Sequence, residues 1–132
     1  RAGEISILSP NPIPVHHGPT PALAWRIDTG GKAMVVSGDM NGNYHTLETL
    51  AAGGDLLIAH HAVPEGASGV ARTLHMPPSA IGAVAAEAKV KQLVLSHRMR
   101  RTSGREGASA GITGALYAGP STFADDGQRF AP

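Results

Sequence analysis

Asp39 and a group of histidines stand where the apolar runs of this chain end. Met34-Val35-Val36 runs into Ser37-Gly38-Asp39, Leu56-Leu57-Ile58-Ala59 into His60-His61, Leu93-Val94-Leu95-Ser96 into His97, and Val15 into His16-His17. Short apolar runs closed by polar or glycine-rich residues read as buried strands. In open α/β sheets, ligands collect at the carboxyl ends of the strands. Imidazole nitrogen and carboxylate oxygen suit zinc, manganese or iron. His17, Asp39 and His97 are therefore candidate metal ligands. Two imidazoles and one carboxylate leave a coordination position open for water, the pattern of a catalytic zinc. His16, His45, His60 and His61 are candidates for a fourth ligand, with His60 and His61 favoured because they end a strand. Gly38 would let another group approach the backbone beside Asp39.

The remaining chemistry narrows the choice. The chain has no cysteine, so disulfides and thiolate ligands are excluded. The formal charge is +1, too small for a global field that would draw the chain to nucleic acid or a membrane surface. One basic run, Arg98-Met99-Arg100-Arg101 with Arg105, follows His97 directly. Arg98 and Arg100 are candidates for attracting an anionic substrate. No apolar run approaches the ~18 residues of a membrane span.

The elements that must carry these residues follow from pattern. At 132 residues the chain holds one domain, 1–132. Its core must be aliphatic, since aromatic residues make up only 4%. Residues 5–9 alternate as a short strand. Pro10, Pro12 and Pro14 forbid helix or central strand and predict a rigid extended connector. Residues 22–28 alternate as a strand, Thr29-Gly30-Gly31-Lys32 is a hairpin turn, and residues 33–37 return antiparallel. A helix starts at Asn43 and stops at Gly53-Gly54, and residues 55–59 form a strand buried on both faces. A second helix begins at Pro77-Pro78-Ser79, and residues 90–95 are the next strand. Residues 64–72, residues 98–110 and the tail from Pro120 read as loops. Residues 112–117 are strand or helix. The β-α-β-α-β order predicts a parallel sheet with both helices on one face, and the opposite face needs cover.

The wording of these segments is specific. Val36-Ser37-Gly38-Asp39-Met40, Gly54-Asp55-Leu56-Leu57-Ile58-Ala59-His60, His75, and Val90-Lys91-Gln92-Leu93-Val94-Leu95-Ser96-His97 closely resemble the C-terminal half of the metallo-β-lactamase superfamily. The nearest branch is similar to the ribonuclease Z-like phosphodiesterases. The resemblance covers residues 15–97, and Tyr117-Ala118-Gly119-Pro120 looks like that family's C-terminal end. It implies His17 in a first zinc site, Asp39 as a carboxylate bridging two zincs, and His97 in the second site. It also implies His75 as the histidine that assists phosphodiester cleavage. Met40 and Met76-Pro77 replace hydroxyl residues of the family pattern.

The family's HxHxDH motif, which supplies most of the metal ligands, is nowhere in this sequence. The resemblance thus implies half of an αβ/βα sandwich, one mixed sheet with helices on one face. Leu23, Trp25, Val35 and Ile58 are expected on the bare inner face, which would be completed by self-association as a homodimer. The implied activity is a zinc-dependent hydrolase acting on phosphodiesters or phosphotriesters through metal-activated water, with His75 as general acid. The partner is a small-molecule phosphoester, with no membrane and no nucleic acid. Ester, lactone or β-lactam hydrolysis is the alternative within the superfamily. A truncated metal-binding fragment without turnover is the alternative outside catalysis.

Overall fold

The computed structural model describes residues 8–132. Most of the strand expected at residues 5–9 lies outside the described residues. Six strands form one sheet in chain order: β1 (Leu8–His17), β2 (Thr20–Thr29), β3 (Lys32–Val36), β4 (Leu56–His60), β5 (Leu93–Ser96) and β6 (Ser121–Phe123). β1, β2 and β3 pair antiparallel, whereas β3, β4, β5 and β6 run parallel. The sheet is therefore mixed, as the sequence implied. The proline-rich stretch is the edge strand β1 rather than a connector. An edge tolerates residues that cannot donate on the solvent side, and the register slips between Leu8 and Asn11.

Helices supply the parallel crossovers. A 3₁₀ turn (Asn43–His45) leads into α1 (Thr46–Ala51); α2 (Gly69–Leu74), α3 (Pro78–Glu87) and α4 (Glu106–Leu116) follow. Asn43 does not cap a continuous helix, because Tyr44 and His45 sit in the left-handed region at φ +70° and +52°. The stretches read as loops hold the starts of α2 and α4, and the tail contains β6. Residues 112–117, left between strand and helix, fall mainly in α4.

One core holds Leu47 and Ala51 of α1, Ile81, Val84 and Ala85 of α3, and the sheet residues Ala24, Val35, Leu57, Ala59, Leu93 and Leu95. Strand alternation places all these sheet residues on one face, which the helices cover. α4 packs on α3, where Thr113 Oγ1 donates to the Pro78 carbonyl at 3.3 Å. The opposite face carries Pro14, Leu23 and Trp25, all exposed, with Val36 and Ile58 half-buried beside them. Val35 was expected there and is not. Register pairs Trp25 with Val36 and Arg26 with Val35, so Val35 turns into the helical core. Among the described residues, no helix is long and apolar enough to cross a membrane.

The end of the sheet away from the strand tips is fixed by Asp55. Its carboxylate accepts from the Ala33 amide at 2.9 Å and from Lys91 Nζ at 2.8 Å, with Lys32 Nζ at 3.5 Å. The Lys91 hydrogen bond, then the Ala33 amide, outweigh burial and hold this carboxyl down at about 2, from an ordinary value of 3.8. A group depressed in the folded state contributes stability above its unfolded pKa and loses it as pH falls through the folded one. The melting temperature of the native chain is therefore expected to drop between about pH 4 and pH 2. Asp55→Asn should show a lower melting temperature at neutral pH and a flatter profile across that window. Parallel profiles for the two proteins would exclude the role.

Candidate metal centre

The strand tips converge on Asp39. β3 ends at Val36, and the chain turns through Ser37 and Gly38 to present the carboxylate. Ser37 is fully buried; its hydroxyl donates to the Gly38 carbonyl at 2.7 Å and accepts the His60 amide at 3.0 Å. This one side chain locks the tip of β3 to the tip of β4. Gly38 has φ +61°, and a Cβ there would stand 2.3 Å from the Leu23 carbonyl oxygen. The close approach expected at this glycine is therefore to the backbone of β2.

Four imidazoles surround the carboxylate. His60 Nδ1 is 2.8 Å from Asp39 Oδ1, His97 Nε2 3.4 Å and His75 Nδ1 3.6 Å from the same oxygen, and His17 Nε2 is 3.9 Å from Oδ2. They come from four places in the chain: the ends of β1 and β4, the turn after α2, and the residue after β5. His97 adopts φ +54°, a left-handed backbone that costs energy in a non-glycine residue and concentrates at functional sites. Burial pushes the Asp39 carboxyl up, but the His60 hydrogen bond and the neighbouring His60, His97 and His75 charges outweigh it, so the net shift is downward. Asp39 is thus an anion at neutral pH. His75 is lowered, chiefly by burial, against the opposing Asp39 charge.

The donor set fits a divalent transition metal. His17 donates Nδ1–H to the Leu74 carbonyl at 2.8 Å, which leaves a lone pair on Nε2 in the neutral ring. That lone pair faces the carboxylate across 3.9 Å. Two acceptors facing each other at this spacing are satisfied by a shared cation, not by a hydrogen bond. His75 Nδ1 is sealed from solvent without a hydrogen-bond partner.

The structure brings His17, Asp39, His60, His75 and His97 together and leaves other candidates out. His61 follows His60 and turns to the opposite side, as successive residues of an extended chain do. It is fully buried against Phe123, 5.5 Å between ring centroids, and both its nitrogens lack partners. It does not reach Asp39 and is removed from the ligand set. His16 is occupied too: Asn41 Nδ2 donates to its Nδ1 at 2.6 Å. His45 lies elsewhere, beside Glu48 at 3.5 Å and Glu87 at 4.0 Å.

Arg98 also departs from expectation. Its guanidinium donates to Glu106 at 2.9 Å, to Asp125, and to the Ala124 carbonyl at 2.9 Å. Two carboxylates neutralise it, so it is not a free anion receptor. The cleft it lines beside His97, about 510 Å³, also carries Asp126 and is net acidic. Arg100 is exposed, whereas the Arg101 charge reaches His75.

Two residues were missed by sequence reasoning. Buried Asn41 donates its amide to the His16 carbonyl at 2.9 Å and its side chain to the Thr73 carbonyl at 2.7 Å. It ties β1, the Asp39 loop and α2 into one unit. Arg72 donates to the Asn41 carbonyl at 3.3 Å. In sequence both are ordinary loop residues, and only the three-dimensional closure of the site reveals them.

No family model matches the chain. No curated protein matches it either. Solved structures do. The metallo-β-lactamase fold protein YhfI from Bacillus subtilis superposes with a TM-score of 0.80 at 22% identity, over 90% of this chain and 47% of its own. The short form of human tRNase Z gives 0.66 at 19% identity, over 91% and 44%. A diphosphatase of the PhnP family gives 0.57 at 20%, over 92% and 43%. The chain spans less than half the length of each of these proteins. Its mixed sheet, helices and order of strands are those of one half of the metallo-β-lactamase fold.

Proposed function

We propose that this chain carries the metal site of a metal-dependent hydrolase that cleaves phosphodiesters or phosphotriesters by metal-activated water. The observation that carries the reading is the Asp39 carboxylate at the tip of β3 with four imidazole nitrogens 2.8–3.9 Å away. The similarity to a tRNase Z and to a PhnP-family diphosphatase supports phosphate esters over other hydrolase substrates.

Asp39, His60 and His97 would hold one metal ion, zinc or alternatively manganese or iron, and Asp39 with His17 would hold a second. When bound, the metal would polarise a phosphoryl oxygen and lower the pKa of water. The chain's own groups do the rest. Burial keeps His75 neutral near pH 7, so its ring can take a proton from the attacking water and return it to the leaving oxygen. This orders the two halves of its task, acceptor first and general acid second. Asn41 and Ser37 hold the loops that present Asp39 and His60.

Charge around the site selects among phosphate esters. Glu106, Asp125 and Asp126 beside His97 oppose a dianion entering through that cleft, while Arg100 and Arg101 offer positive charge. Diesters, with a single negative charge, should therefore outrun monoesters. With zinc or manganese supplied, bis-p-nitrophenyl phosphate is expected to be hydrolysed at least about tenfold faster than p-nitrophenyl phosphate. An equal or reversed preference would remove the charge argument. Absence of both metal uptake and turnover would remove the function.

A further inference from the structure

The two oxygens of Asp39 face different partners. Oδ2 is the oxygen nearest His17, at 3.9 Å, whereas Oδ1 is the one nearest His60, His97 and His75. Among the described residues, donors of Asp39, His60 and His97 form a set whose ligand atoms all lie within 4.8 Å of one another; His17 and His75 do not join it. The three belong to neighbouring strands, since β3, β4 and β5 are adjacent and parallel and each residue ends or follows one of them. The rings of His60 and His97 lie 4.8 Å apart at a tilt of 41°.

We infer that His60 is a metal ligand, and that His60, Asp39 and His97 form a cation site complete within this chain. The inference rests on the metal reading above and sharpens it. Two imidazoles and a carboxylate suffice for a catalytic zinc, so occupancy does not wait for ligands from outside these 132 residues. The 2.8 Å contact from His60 Nδ1 to Asp39 is now a hydrogen bond, and the other neutral tautomer turns that nitrogen into a donor to metal. His60 and His97 are also partly open to solvent, at 25% and 41% side-chain exposure, which leaves room for water. His17, with Nδ1 held by the Leu74 carbonyl, serves the other carboxylate oxygen and is not needed for the first cation.

Calorimetry with Zn²⁺ and visible spectroscopy with Co²⁺, on the whole chain, test this. The native chain should bind one ion tightly. His60→Ala and His60→Gln should each weaken it by more than the about 10–100-fold that loss of an outer hydrogen-bond partner costs, and should alter the Co²⁺ absorption. His17→Ala should weaken that affinity by less than either His60 variant does. Circular dichroism checks that each variant folds, and His60→Gln keeps an N–H donor for Asp39 while removing the imidazole. Native-like affinity in His60→Gln, or a larger loss in His17→Ala than in His60→Ala, overturns the assignment and leaves the metal reading standing. A native chain that binds neither ion overturns both.

Discussion

Asp39→Ala is expected to abolish metal binding and to lower any phosphodiesterase rate by about a thousandfold or more. The carboxylate is the common centre of four imidazoles, and it is the single anion among them. Without it only imidazoles remain, spaced around the missing carboxylate and with no anion to offset the charge of a cation. Stability should hardly change. The side chain is about one-third exposed and makes one hydrogen bond, to His60, worth about 1 kcal/mol. A variant that folds with a native melting profile yet takes up no metal is the expected result. Metal affinity within threefold of native would show that Asp39 is not the centre of the site.

Gly38→Ala is expected to be the most damaging small substitution near the site. The residue sits at φ +61°, where an L side chain costs roughly 1–2 kcal/mol. In addition, a Cβ would stand 2.3 Å from the Leu23 carbonyl oxygen. That atom is backbone of β2 and cannot swing aside as a flexible side chain would. Relief requires moving β2 or the Ser37–Asp39 turn, and either shift drags the carboxylate away from His60 and His97. Denaturant unfolding should show a loss of at least about 2 kcal/mol, accompanied by weaker metal binding. An unchanged midpoint would mean that the turn is looser than its geometry indicates.

The sequence made the tips of the strands legible because each combines a buried apolar run with a sudden polar ending. That pattern was enough to place Asp39, His17 and His97 near one another and to anticipate a close approach at Gly38, whereas His75, after α2, came only from the resemblance. It failed where parity decides. His60 and His61 are neighbours with the same chemistry, yet one meets Asp39 and the other is buried against Phe123. Val35 and Val36 differ in the same way, and only the register with β2 says which faces the helices. Arg98 looked like an anion receptor because its partners Glu106 and Asp125 lie 8 and 27 residues away. α4 was missed for a different reason. Its sequence, EGASAGITGAL, has no broad apolar stripe because it packs through small residues. A Cβ on Gly82 of α3 would come within 2.9 Å of the Thr113 carbonyl, so the two helices meet nearly backbone to backbone, and such contacts leave little trace in hydrophobic periodicity.

The sheet face without helices holds the molecule's only indole. Trp25 is 37% exposed beside Leu23 and Pro14, on the side away from the core. Its fluorescence colour therefore serves as a label-free gauge of hydration at that surface. Any partner laid over β1 and β2, whether another copy or a different polypeptide, would shift the emission toward the blue by displacing water from the ring.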